Sequence, residues 1–211
     1  MAILEYTFVQ SKEEQKDIMI CLHGFGSNKD DLSKISFNLP NTSIVYINAP
    51  LQLANLESAF AWFSLSFNEN KVISFNINEV KETNNLLLET IDEICSKYNV
   101  LKNQIILFGF SQGGIMAVYN ALHSSNNYKA VICHSGYYLH PELQTQNINK
   151  NQNILFIHGY FDNVVSFYLI EQTIELFKDN NIKHEYFFNN SEHNIDAETL
   201  FKTENFILNS K

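Results

Sequence analysis

The chain has 211 residues, 45% of them hydrophobic and 13% aromatic, enough apolar material to build a core without disulfides or metal ions. Its formal net charge of -9 argues against nucleic acid or anionic lipid as a main partner, since both are held by basic patches. No arginine occurs in it, so no guanidinium fork is available for a phosphate or carboxylate, and a small, largely uncharged ligand is expected.

The length fits one domain spanning residues 1–211, with no linker or repeat dividing it. Met1-Ala2-Ile3-Leu4-Glu5 lacks a basic region followed by a long apolar one. The apolar stretches are strand-sized, so a cytoplasmic protein without integral membrane association is expected. Cys21, Cys95 and Cys133 are odd in number and lack CxxC spacing. They read as buried free thiols of a reducing compartment, with no metal site.

Strand-like apolar runs recur in chain order over 3–9, 17–22, 43–48, 104–110, 129–135, 153–158 and 183–188. Helical periods stand between most of them: Ile77, Val80, Leu87, Leu88, Ile91, Ile94 and Tyr98, then Ile115, Val118, Tyr119 and Leu122, then Ile170, Ile174 and Phe177. A last one runs through Leu200, Phe201, Ile207 and Leu208. Strands alternating with helices predict an α/β fold, a mostly parallel sheet with helices on both faces. Two stretches resist regular assignment: the apolar but aperiodic 50–71, and a polar loop over 139–152.

The run 104–110 leads directly into Gly109-Phe110-Ser111-Gln112-Gly113-Gly114. A GxSxG sequence between a strand and a helix displays its serine on a strained turn whose close backbone contacts demand small neighbours. Ser111 is therefore the candidate nucleophile. A serine hydroxyl needs a histidine to take its proton and a carboxylate to orient that histidine. In an α/β-hydrolase sheet these follow in the order Ser, Asp or Glu, His, each on a loop after a strand. Asp162 follows the run 153–158 and His193 follows the run 183–188, so they are the expected acid and base.

His184 lies inside an expected strand, His134 and His158 at strand ends, and His123 and His140 on a helix and a loop less well placed for Ser111, and all read as structural or surface residues. Asp179 and Asp196 sit in or beside helices and read as solvated. Charge developing on a substrate carbonyl needs backbone donors. The Gln112 amide, at the start of a helix, and the Phe25 amide, flanked by Gly24 and Gly26, are the expected pair.

Together these segments resemble the acyl-protein thioesterase or phospholipase/carboxylesterase family of the α/β-hydrolase superfamily, almost from end to end. Leu22 to Gly26 is similar to the family's LHGxG, Ala49-Pro50 to its AP, and Trp62-Phe63 to its WF. Gly109 to Gly114 matches GFSQGG, Ser135-Gly136-Tyr137 its SGY, and His158 to Asp162 its HGxxD.

The resemblance implies a serine hydrolase of carboxylic esters, with thioesters or lysophospholipids as further substrates, of small to medium acyl chains. It implies Ser111, Asp162 and His193 as the triad, Phe25 and Gln112 as the oxyanion hole, and no cofactor. Trp62 and Phe63 are expected to line the acyl pocket. The chain departs from the family pattern at Ser64, Ser166 and Ser191-Glu192, where Asp, Pro and Gly are usual. A chain this short holds no lid domain between Ser135 and Asn153, which implies an open site. A homodimer is expected only if the 51–67 segment leaves apolar surface exposed. The rival reading from another class is a non-catalytic α/β-hydrolase ligand receptor.

Overall fold

Why the strands read as almost unbroken apolar runs is plain in the computed structural model, which describes residues 3–54, 56–67, 73–139 and 148–210. Strands β1 (Tyr6–Val9), β2 (Asp17–Leu22) and β3 (Thr42–Ile47) open the chain. The short strands β4 (Leu51–Gln52), β5 (Phe60–Ala61), β6 (Leu65–Phe67) and β7 (Ile73–Phe75) follow. Then come β8 (Ile105–Phe110), β9 (Ala130–His134), β10 (Ile154–Gly159) and β11 (His184–Asn189). Seven of these form the main sheet in the order β1-β3-β2-β8-β9-β10-β11. All neighbours are parallel except β1, which pairs antiparallel with β3.

Side chains alternate across this sheet and both faces are covered. Ile18, Ile20 and Leu22 of β2 pack in one apolar cluster with residues of α2 (Ile77–Tyr98), α3 (Gln112–Leu122) and α4 (Phe167–Asp179). Met19 and Cys21 point to the other face, into a cluster with Leu32 of α1 (Lys29–Leu32) and Phe206 and Ile207 of α5 (Ala197–Asn209). A strand with helices on both sides has no solvated face, which removes the polar alternation of a half-exposed strand.

Local chemistry fixes the helix ends. The Asn76 side chain accepts from the Asn78 amide to start α2, and Asn99 closes it in the left-handed region at φ 53°, where asparagine is tolerated. At α5 the Asp196 carboxylate accepts from the Thr199 amide at 2.8 Å while Thr199 Oγ1 accepts from the Asp196 amide at 3.0 Å. This reciprocal cap satisfies donors that the helix itself leaves free.

The aperiodic 50–71 stretch contains more order than its sequence predicts. Strand β4 pairs with β5 and β6 with β7, both antiparallel. Pairs of two and three residues are too short for a period to register. Of the predicted polar loop over 139–152, residues 140–147 lie outside the described residues, His140 among them. Among the described residues no helix is long and apolar enough to cross a membrane.

Candidate active site

The carboxyl ends of β8, β10 and β11 converge at one rim of the sheet, and each delivers one side chain. Ser111 stands between β8 and α3 with φ 56° and ψ -120°, a conformation that costs energy for a residue with a Cβ. It is held there from both sides. Its amide donates to the His134 carbonyl at 2.8 Å, and its carbonyl accepts from the Ile115 amide at 3.1 Å. The turn is so tight that a Cβ on Gly113 would overlap the Leu22 carbonyl, so only glycine fits there.

Asp162 lies in the turn after β10. Its Oδ1 accepts from the Val164 and Val165 amides at 2.9 and 2.8 Å, leaving Oδ2 for His193 Nδ1 at 2.7 Å. Burial pushes the carboxyl upward, but the His193 bond and the two valine amides outweigh it and hold Asp162 below the ordinary carboxylate range. His193 follows β11, and its Nε2 is 3.0 Å from Ser111 Oγ. With Nδ1–H donating to the carboxylate, Nε2 is left to accept from the serine hydroxyl.

The turn that carries Asp162 and the loop that carries His193 are fastened to each other. The Tyr160 amide donates to the Asn189 carbonyl at 2.8 Å and the Phe161 amide to the Ser191 carbonyl at 3.1 Å. This approach requires Gly159, where a Cβ would overlap the Ser191 carbonyl.

The other candidates take structural places. His134 is 1% exposed and His158 is wholly buried. Burial first, then the neighbouring His158, pushes His134 down to about 3, and burial lowers His158 as well, so both stay neutral. His158 Nε2 donates to the Val165 carbonyl at 2.9 Å, bracing the turn that carries Asp162. His123 caps α3 and meets the Tyr138 hydroxyl at 2.8 Å, while His184 opens β11. Asp179 ends α4. Asp196, expected to be solvated, is the cap of α5.

Gln112 is the first residue of α3, where amides have no acceptor within the helix. Phe25 and Gln112 line the same cavity as Ser111 and His193. This cavity has a volume of about 690 Å3, and Leu32, Ile35, Leu65, Ile115 and Ile195 contribute apolar walls. A larger one of about 880 Å3, lined by Lys129, Lys150, Lys183, Lys202 and several asparagines, lies at the opposite ends of the strands, away from Ser111. Of these two cavities, the apolar one adjoins Ser111 and His193.

The Trp62-Phe63 pair divides. Phe63 lines the cavity but Trp62 does not. The expectation of Trp62 in an acyl pocket is corrected by its burial at 0% exposure and by its indole N-H, which donates to the His23 carbonyl at 2.8 Å. Ala61 and Phe63 are buried with it, while Leu56 in the same 51–67 segment is exposed.

Sequence reasoning did not find the walls. Ile115 had a signal, one helical turn beyond Ser111 on the same face. Ile35, Val165 and Ile195 come from loops that only the fold brings together. Among the described residues no group of His, Cys, Asp and Glu is arranged to hold a metal.

The sequence profile of the phospholipase/carboxylesterase family matches residues 4–210. The chain belongs to this family. It is 27% identical over 212 residues to acyl-protein thioesterase 1 of Candida albicans, covering 92% of each chain. It is 27% identical over 179 residues to acyl-protein thioesterase 1 homolog 1 of Dictyostelium discoideum, covering 77% of this chain and 76% of the relative. In fold it is similar to esterase PE8 (TM-score 0.85, 23% identity, 100% of both chains) and to the Bacillus cereus carboxylesterase (0.82, 19%, 98% and 94%).

Membership of the phospholipase/carboxylesterase family makes the chain a hydrolase with the α/β-hydrolase fold, of the carboxylesterase and acyl thioesterase class. Its departures from the family pattern fall outside the cavity lining. Ser64 binds Glu79 through its amide at 2.7 Å, Ser166 starts α4, and Ser191 Oγ donates to Asn189 at 2.6 Å.

Proposed function

We propose that Ser111, His193 and Asp162 are the catalytic triad of a serine esterase acting on small to medium acyl esters and thioesters, with 1–211 working as one domain. The observation that carries this reading is the continuous relay from Asp162 Oδ2 through the imidazole to Ser111 Oγ, at 2.7 and 3.0 Å, opening on an apolar cavity. His193 removes the hydroxyl proton as Ser111 Oγ bonds to the substrate carbonyl carbon. Negative charge then develops on the carbonyl oxygen, against the Phe25 and Gln112 amides.

His193 returns the proton to the departing alcohol or thiol as the acyl-enzyme forms. Water repeats the sequence, giving its proton to His193, and Ser111 recovers one when the acid leaves. These side chains and water complete the cycle without a cofactor. The thioesterase names of the relatives support including thioesters. The free cysteines support a reducing, cytoplasmic compartment.

Ser111→Ala is expected to lower kcat on a nitrophenyl ester by several orders of magnitude without loss of fold, because the triad acts as a unit. Near-normal turnover would refute the assignment. The receptor reading is disfavoured by the relay geometry. A fluorophosphonate that modifies the native protein and spares Ser111→Ala separates the two readings.

A further inference from the structure

Residues Phe60 to Phe63 form a strap bonded to Gln112 and to the residues on either side of Phe25, the two proposed oxyanion donors. On one side they grip the loop that carries Phe25. The Gly26 amide donates to the Phe60 carbonyl and the Phe60 amide to the Ser27 carbonyl, each at 2.9 Å. Trp62 Nε1 donates to the His23 carbonyl at 2.8 Å. Phe25 is therefore tied down both before and after its own position.

On the other side the strap grips Gln112. The Trp62 amide donates to Gln112 Oε1 at 2.9 Å, and Gln112 Nε2 donates to the Phe63 carbonyl at 2.7 Å. Thr83 Oγ1 secures the strap to α2 by donating to the Trp62 carbonyl at 2.8 Å. His23 locks the far end of the loop: the Ala49 amide donates to its Nε2 at 3.0 Å, so its Nδ1 carries the proton and donates to the Gly24 carbonyl at 2.8 Å. Trp62 and Gln112 are 0% and 3% exposed, so water does not compete for these bonds.

We propose that Trp62 is the positioning residue of the oxyanion hole, a staple whose indole N-H sets the Phe25 loop and whose backbone amide sets Gln112. The inference rests on the serine esterase reading above. A donor stabilises the developing oxyanion only when held about 3 Å from the place the oxygen will occupy. Phe25, on the loop after β2, and Gln112, at the start of α3, lie 87 positions apart in sequence, so a shared support is what holds them in one frame. Trp62 acts through both donors and does not touch the substrate.

Trp62 is the only tryptophan in the chain, so residue-specific replacement by benzothienylalanine, an isostere with sulfur in place of N-H, deletes one donor and little else. Active sites are first counted by fluorophosphonate incorporation at Ser111. No incorporation in the native protein would defeat the esterase reading itself. Per titrated site, the replaced protein is expected to lose about tenfold in kcat, a fraction of the cost of removing a donor outright, with KM little changed.

Affinity for a trifluoromethyl ketone, whose adduct with Ser111 carries the oxyanion, should fall by the same factor, while affinity for the unreactive methyl ketone stays constant. Gln112→Met, which keeps the backbone amide and removes the clamp, should shift the same two quantities in the same direction. Unchanged kcat per site and unchanged trifluoromethyl ketone affinity in both variants would overturn the proposal, even if both lose thermal stability.

Discussion

Asp162 combines two duties in one carboxylate. Its Oδ1 is spent on the Val164 and Val165 amides, which shape the turn, and its Oδ2 orients His193. Asp162→Asn keeps the shape but offers an amide where the imidazole N-H needs an acceptor. A loss of about 10⁴-fold in kcat is expected, as for other triads deprived of the acid, and steady-state kinetics checks it.

The same residue sets part of the acid stability. Its carboxyl is held below its unfolded value, so its contribution is fully present above the ordinary carboxylate range, about pH 4. It is lost as pH falls through the lower folded value. Denaturation followed from pH 6 to pH 2 should therefore be shallower for Asp162→Asn than for the native chain. Identical acid limbs would contradict that origin. At this scale the triad candidates were legible because Ser111, Asp162 and His193 each follow a strand in the order the fold demands. The place of Trp62 was not, because an apolar residue next to a site reads alike whether it lines the cavity or supports it.

Elements were legible where burial imposed a period. The sequence-expected strands over 17–22 and 104–110 agree with β2 and β8 to within a residue, because strands buried on both faces are uniformly apolar. The helical period beginning at Ile77 marks the whole of α2. The antiparallel direction of β1 had no signal, since pairing direction is set by the connection and not by composition.

The strap at β5 and the residues after it was likewise invisible, being held by hydrogen bonds to distant loops and not by a periodic face. One element exposed to a single change is the turn from β8 into α3. Gly113→Ala places a methyl group against the Leu22 carbonyl. Accommodating it requires separating α3 from β2, so stability should fall by more than the typical core substitution, beyond about 3 kcal/mol. Equilibrium urea unfolding measures this, and a variant as stable as the native chain would show that the elbow is looser than described.

Across the whole molecule the parallel sheet gathers the carboxyl ends of β8, β10 and β11 at one rim. The loops there close an apolar cavity of about 690 Å3 over Ser111. The expected preference for uncharged acyl groups has a physical basis in those walls. Each methylene moved from water into them stabilises binding by about 0.8 kcal/mol, or about fourfold in affinity. In a nitrophenyl ester series from acetyl to octanoyl, kcat/KM should therefore climb by up to that factor per methylene and then level off when the cavity is full. A flat series would mean that the acyl chain does not enter it.

The claim on which the rest depends is that Ser111 becomes covalently acylated. Rapid acid quenching of the protein with an excess of a slowly hydrolysed ester, followed by peptide mass mapping, tests it directly. The account predicts one acyl group per chain, on the peptide containing Ser111, disappearing as the product acid is released. Turnover without any acyl mass on that serine, or with the mass on another residue, would contradict it.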